Sequence, residues 1–101
     1  MTNAELCREW VTDRNLAHAK TSTGSLYVSA GILYSYGSHY PLALRYMGEV
    51  YVNNTRYSQT TSSKHRSPLL YELAKAGVAY KDASTHDMKL MECNLREGAM
   101  R

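Results

Sequence analysis

The chain predicts a single α+β domain over residues 1–101, with an N-terminal helix, an antiparallel sheet of four to five short strands and two C-terminal helices. Three observations predict it. Apolar residues recur at helical spacing through the first segment, shift to short aromatic and β-branched runs from Leu26, and return to helical spacing after Ser67. A chain of 101 residues holds one modest core, which leaves little apolar material to enclose a large buried active site.

The first helix is expected from Thr2 to about Ala19. Thr2 or Asn3 can cap it, and Glu5 suits the positive end of the helix dipole. Leu6, Trp10 and Ala17 form one stripe with Cys7 and Val11 beside it, while Arg8, Glu9, Asp13 and Arg14 take the wet side. Thr21-Ser-Thr-Gly-Ser25 breaks the pattern as a polar loop.

Strands are expected at Leu26–Val28, Ile32–Tyr36, Tyr40–Tyr46 and Glu49–Val52. Turn residues separate them at Ala30-Gly31, Gly37-Ser38, Met47-Gly48 and Asn53-Asn54. Asn53-Asn54 suits a tight hairpin into Arg56-Tyr57-Ser58. Pro41 cannot donate to a ladder, so it belongs on an edge or at a strand's start. Ser67-Pro68 reads as a cap followed by proline at the first helical position, with Leu69, Leu70, Leu73 and Ala76 apolar and Gly77 as the stop. Val78-Ala-Tyr80 suits a short strand. Ser84 caps a last helix with Asp87 three residues on, its apolar side formed by Met88, Leu90, Met91 and Leu95 and its end at Gly98. The expected core comprises Leu6, Trp10, Val11, Ile32, Leu42, Leu69, Leu73, Leu90 and Leu95.

Nine tyrosines accompany no phenylalanine, and six of them fall between Tyr34 and Tyr57. A core that needed only bulk would use some phenylalanine. Tyrosine suits half-buried sheets and contact surfaces, because its hydroxyl requires a partner when buried. The charge is just as uneven. The net +3 resides in residues 25–80, where Arg45, Arg56, Lys64, Arg66 and Lys75 face only Glu49 and Glu72. The flanking segments are balanced.

Cys7 and Cys93 stand near opposite ends without a basic-then-apolar leader, so reduced thiols in the cytoplasm are expected. No apolar run approaches membrane-spanning length. His18, His39, His65 and His86 are scattered, and no C-x-x-C occurs, which argues against zinc. No phosphate-binding glycine motif or dense carboxylate set implies a cofactor.

Two segments could carry recognition. Strand alternation in Tyr34-Ser-Tyr-Gly-Ser-His-Tyr-Pro-Leu-Ala43 puts Tyr34 and Tyr36 on one face and Ser35 on the other, with His39 at the bend. Thr60-Thr-Ser-Ser-Lys-His-Arg-Ser-Pro68 approaches a helix N-terminus with hydroxyls and three bases, a setting that favours an anion. The candidate binding residues are therefore Tyr36, His39, Tyr40, Arg45, Arg56, Tyr57, Thr60, Thr61, Lys64, His65 and Arg66. Stacking rings with phosphate-holding bases serve single strands or RNA. Exposed Tyr with Arg equally describes a protein–protein hot spot, and composition does not separate the two. A metal-independent phosphoesterase would need His39 and His65 to share acid and base roles. His65-Arg-Ser67 fits one H-x-[ST] element, but His39 is followed by Tyr-Pro, so the second copy is missing.

The pairing of Tyr34-Ser-Tyr-Gly-Ser-His-Tyr-Pro with Tyr57-Ser-Gln-Thr-Thr-Ser-Ser-Lys-His65 resembles a signature of small uncharacterised proteins from bacteriophages and other mobile elements, S-Y-G-x-H-aromatic-P and then Y-S-x-T-T-S-x-H. The resemblance covers about Tyr34–His65, and this chain carries one extra residue, Ser62 or Ser63, before Lys64. It implies phage origin and a non-enzymatic role, and supplies no activity. By analogy of size and origin, it brings in inhibitors of host defence, including anti-CRISPR proteins that act on nucleoprotein complexes. The expected partner is a nucleic acid or a host nucleoprotein complex, or, in the alternative, a host protein bound directly.

Overall fold

The computed structural model describes residues 1–37, 40–55 and 61–97, with the side chains of residues 61–63 outside that description. Helix α1 (Asn3–Thr12) opens with a full capping box: the Thr2 hydroxyl accepts from the Glu5 N–H, and the Glu5 carboxylate accepts from the Thr2 N–H. The Thr2 N–H, and after it the Thr2 hydroxyl, hold the Glu5 carboxyl below its ordinary value. The helix stops well before Ala19. Asp13 turns extended at φ −111°, and its carboxylate accepts from the Asn15 N–H, a local turn that competes with helix continuation. The freed segment becomes an unforeseen strand, β1 (His18–Lys20).

Strands β2 (Leu26–Ser29), β3 (Ile32–Ser35), β4 (Pro41–Tyr46) and β5 (Glu49–Asn53) continue an antiparallel meander from β1. Two of its hairpins turn on Ala30-Gly31 and Met47-Gly48, with φ of 53° and 79°, and of 52° and 81°. Two consecutive positive φ values match the right-handed twist of the flanking strands, and glycine takes the second position at little cost. Pro41 begins β4, the position proline tolerates. The β3–β4 register shifts between Leu33 and Tyr34, which pair with Ala43 and Pro41, so Leu42 is the extra residue of a bulge.

After β5 the chain does not form the expected tight turn at Asn53-Asn54. Asn53 is buried, and its amide donates to the Pro41 carbonyl and the Thr85 hydroxyl while accepting from the Thr55 N–H. Arg56-Tyr57-Ser58, the expected next strand, lies outside the described residues. A π-helical segment, Thr61–Arg66, runs directly into α2 (Ser67–Ala76). Ser67 is therefore not a cap: Arg66 holds that place in helical conformation. Gly77 ends α2 in the left-handed region at φ 70°, as its position foretells. The crossover returns the chain as β6 (Tyr80–Ala83), parallel to β5, so the sheet is mixed and has six strands in sequence order. Ser84 then caps α3 (Thr85–Arg96) by accepting from the Asp87 N–H, and α3 ends before Gly98, which is not among the described residues.

The sheet separates two cores. On one face α1 and α2 bury Leu6, Trp10, Val11, Leu69 and Leu73 against Leu26, Val28, Leu33, Leu42, Val50 and Val52. On the other, α3 contributes Met88 over Ile32, Tyr34 and Leu44, flanked by Tyr27, Tyr46 and Tyr51. Leu95 is only partly buried, and Leu90, expected in the core, is 57% exposed because it points away from the sheet. No helix among the described residues is long and apolar enough to cross a membrane. Cys7 is buried, Cys93 is exposed, and the two are unpaired.

Candidate functional site

A seam of hydroxyls around one imidazole lies where the α2 crossover meets the β2–β3 strands. Ser35, inward on the α1/α2 face, places its Oγ 2.6 Å from His65 Nδ1. Ser25 Oγ lies 3.5 Å from His65 Nε2 and 3.0 Å from Thr23 Oγ1, which reaches Thr21 Oγ1 at 3.5 Å. His65 is 1% exposed, so its polar edges must be satisfied inside the protein, and both ring nitrogens have a hydroxyl. Burial, and secondarily the Lys64 charge, push its pKa below the ordinary 6.5 and favour the neutral ring.

Helix α1 holds the other side of the seam. The Asn3 amide donates to the Lys64 carbonyl at 3.0 Å, and the Cys7 thiol to the His65 carbonyl at 3.9 Å. A π-helical turn rearranges the usual carbonyl ladder, and side chains from a neighbouring helix here serve two of its carbonyls. Cys7 is thereby a packing thiol: burial, with Glu72 adding to it, raises its pKa to about 12.

Above the seam the surface is concave, with a volume of about 540 Å³, lined among others by Thr23, Ser25, Tyr36, Lys64 and His65. Tyr36 sets its shape. Strict alternation would send its ring to the side of Tyr34, under α3. Instead Tyr36 has φ 65°, and its N–H donates to the Ser25 carbonyl at 2.7 Å. The ring turns over the opposite face and lies 4.9 Å from the His65 ring, inclined by 37°. A bulky residue at positive φ is strained, and such strain persists only where surrounding contacts over-determine it. The result is a tyrosine 46% exposed, braced from behind by an imidazole and flanked by the exposed Lys64.

The other candidate residues are dispersed. Tyr40 is buried, and its hydroxyl donates to the Thr55 carbonyl. Arg66 points toward β5 and β6, donating from Nε to the Asn53 carbonyl at 3.1 Å and pairing with Asp82 at 3.4 Å. Lys64, His65 and Arg66 thus diverge from one another, because consecutive helical residues project in different directions. Arg45 lies on another part of the molecule, 4.1 Å above the Trp10 ring, and donates to the Trp10 and Val11 carbonyls at the end of α1. Thr61 begins the π-helical segment, its side chain not described. His39, Arg56, Tyr57 and Thr60 lie outside the described residues. The expected anion-binding loop before α2 is itself helical from Thr61, so Ser67-Pro68 offers no open helix start.

Sequence reasoning passed over Ser25, Ser35, Thr21 and Thr23. The alternating hydroxyls of Thr21-x-Thr23-x-Ser25 were visible as a pattern, but their convergence on a histidine forty residues away was not. Among the described residues no cluster of His, Cys, Asp and Glu could hold a metal ion. The concavity, which Met1 and Ser22 also line, offers hydroxyl donors, the Lys64 ammonium and one aromatic face, a set suited to phosphate and a planar ring. Comparison of the chain with protein-family models, with curated proteins and with solved structures found no match.

Proposed function

We propose that this protein is a small, non-enzymatic, phage-type binding protein that engages single-stranded nucleic acid, free or within a nucleoprotein complex, at the Tyr36 concavity. The observation that carries the reading is the strained backbone of Tyr36, which holds an aromatic ring outward beside Lys64 when alternation would bury it. A base stacks on Tyr36, while Lys64 and the neighbouring hydroxyls take the adjoining phosphate. Aromatic stacking of this kind contributes about 1–3 kcal/mol per base and tolerates any sequence. The phosphoesterase alternative draws no support from His65, whose ring is buried between two serines.

Fluorescence anisotropy with a labelled single-stranded RNA or DNA octamer tests the proposal. Affinity should fall steeply with log salt, and about ten-fold or more in Tyr36→Asn, which removes the ring and tolerates positive φ. Lys64→Ala should reduce the salt slope by roughly one phosphate contact. No binding at low salt, or binding unaffected by Tyr36→Asn, would overturn it. A host protein captured by the tagged chain after nuclease treatment, together with a null oligonucleotide result, would favour a directly protein-binding inhibitor.

A further inference from the structure

Arg45 belongs to a second cavity, remote from Tyr36. This cavity has a volume of about 620 Å³ and sits where the loop after α1, the Ala30-Gly31 hairpin and the end of α3 converge. That volume falls within the range of pockets that enclose small ligands. Three guanidinium groups line it, those of Arg14, Arg45 and Arg96, and none of its described lining residues carries a carboxylate. Leu16, Ala17, Ile32 and Leu95 supply apolar wall.

The three arginines are not equivalent. Arg96 is committed, donating to the Tyr34 hydroxyl at 2.6 Å and pairing with Glu92 at 3.7 Å. Arg45 is fixed by the Trp10 ring and by the α1 carbonyls reached from Nη2. Burial first, and then the charge of Arg14, disfavour its protonated form, with Asp13 acting in the opposite sense. Two guanidinium groups therefore repel one another across a partly dehydrated space. A planar guanidinium matches the oxygens of a carboxylate or phosphate, and the repulsion would be relieved by one.

We propose that this cavity binds a small organic anion, with Arg14 and Arg45 on its oxyanion head and Leu16, Ala17, Ile32 and Leu95 against an apolar body. Trp10 is the chain's one tryptophan and lies directly under Arg45, so its fluorescence reports occupancy.

The test is titration of the full chain with phenyl phosphate, followed by Trp10 emission. Inorganic phosphate (head alone) and benzyl alcohol (body alone) serve as comparison ligands. The proposal expects a saturable change with phenyl phosphate, at least about ten-fold weaker binding of either part, and about ten-fold loss in Arg14→Gln, one charged hydrogen-bonding partner's worth. Arg14→Gln should also melt no lower than the parent without ligand, since it removes repulsion and Arg14 makes no hydrogen bond or ion pair among the described residues. Benzoate in place of phenyl phosphate tells whether a carboxylate head serves equally well, and either ranking supports an oxyanion site. The absence of a saturable response to both, or unchanged affinity in Arg14→Gln, would overturn the proposal. Tyr36→Asn should leave phenyl phosphate binding unchanged, so this site and the nucleic-acid site fail or stand separately.

Discussion

The two faces of the sheet solve the same burial problem with different chemistry. On the α1/α2 side, leucines and valines of the sheet meet Leu6, Trp10, Val11, Leu69 and Leu73 of two helices, with Glu72 the one charged residue among the helices' buried positions. Beneath α3 the sheet presents Tyr27, Tyr34, Tyr46 and Tyr51 around Ile32 and Leu44. A single helix cannot cover that face with apolar atoms, and α3 brings Glu92, Asn94 and Arg96 into the interface. Tyrosine answers this: its ring fills the layer while its hydroxyl satisfies the helix. Tyr34 donates to the Glu92 carboxylate and accepts from Arg96, and Asn94 donates to the Tyr46 hydroxyl at 3.0 Å. Tyr27 and Tyr34 stack at 5.3 Å. Four of the nine tyrosines thus serve a thinly covered sheet face; Tyr40 lies in the opposite core, Tyr71 and Tyr80 are exposed, and Tyr36 turns to the α1/α2 side although alternation would place it under α3.

The largest expected effect sits on the aliphatic face. Trp10 is fully buried, donates from Nε1 to the Gly31 carbonyl and supports Arg45, so Trp10→Ala should cost about 3–5 kcal/mol in chemical denaturation. On the tyrosine face Tyr34→Phe keeps the ring yet strands part of Glu92 and Arg96. It should cost about 1–3 kcal/mol, whereas Tyr51→Phe, whose hydroxyl meets Glu49 near the surface, should change stability by less than about 0.5 kcal/mol. Equal effects of the two phenylalanine substitutions would break the comparison.

Titration sharpens the comparison further. Tyr34, raised to about 12 chiefly by burial and then by Glu92, and Cys7, also raised to about 12, represent one group from each face. In the unfolded chain they ionise near their ordinary 10.0 and 9.0, so the stability they provide is intact below about pH 9 and declines as pH rises toward 12. Tyr34→Phe should remove part of that alkaline decline in melting temperature. His65 has the opposite dependence. Its folded value lies below 6.5, so the unfolded state takes up the proton first and stability falls as pH drops from 6.5. His65→Gln should flatten the acidic slope, and an unchanged slope would mean that His65 is not the group responsible. The smallest perturbation is chemical: iodoacetamide should modify Cys93 in the native protein and reach Cys7 only on unfolding, as read by intact mass.

Much of the fold was legible because local chemistry determined it. Thr2 with Glu5, Gly77, and Ser84 with Asp87 each bring their own cap, and the two glycine-second hairpins carry their turn in two residues. Elements decided by distant partners were not. His18–Lys20 has residues compatible with helix, but pairing with Tyr27–Ser29 draws it into a strand. The sequence suits a short strand at Val78-Ala-Tyr80, but its actual place, Tyr80–Ala83, and its parallel direction come from pairing with β5 after the α2 crossover. In the site, Lys64, His65 and Arg66 read as one basic cluster, since a sequence shows adjacency and not direction. Tyr36 was legible as a candidate, but the reversal of its face depends on a backbone strain that the alternating pattern conceals.

The most direct test is to follow the tyrosine ring resonances of the protein by NMR while adding a single-stranded RNA or DNA octamer at low salt. The account predicts that Tyr36 shifts strongly, with His65 behind it responding, while Tyr27, Tyr34, Tyr46 and Tyr51 under α3 stay in place. Shifts concentrated in the α3 tyrosines with Tyr36 unmoved, or no shift in any ring, would contradict the division between tyrosines that hold the fold and the tyrosine presented for binding.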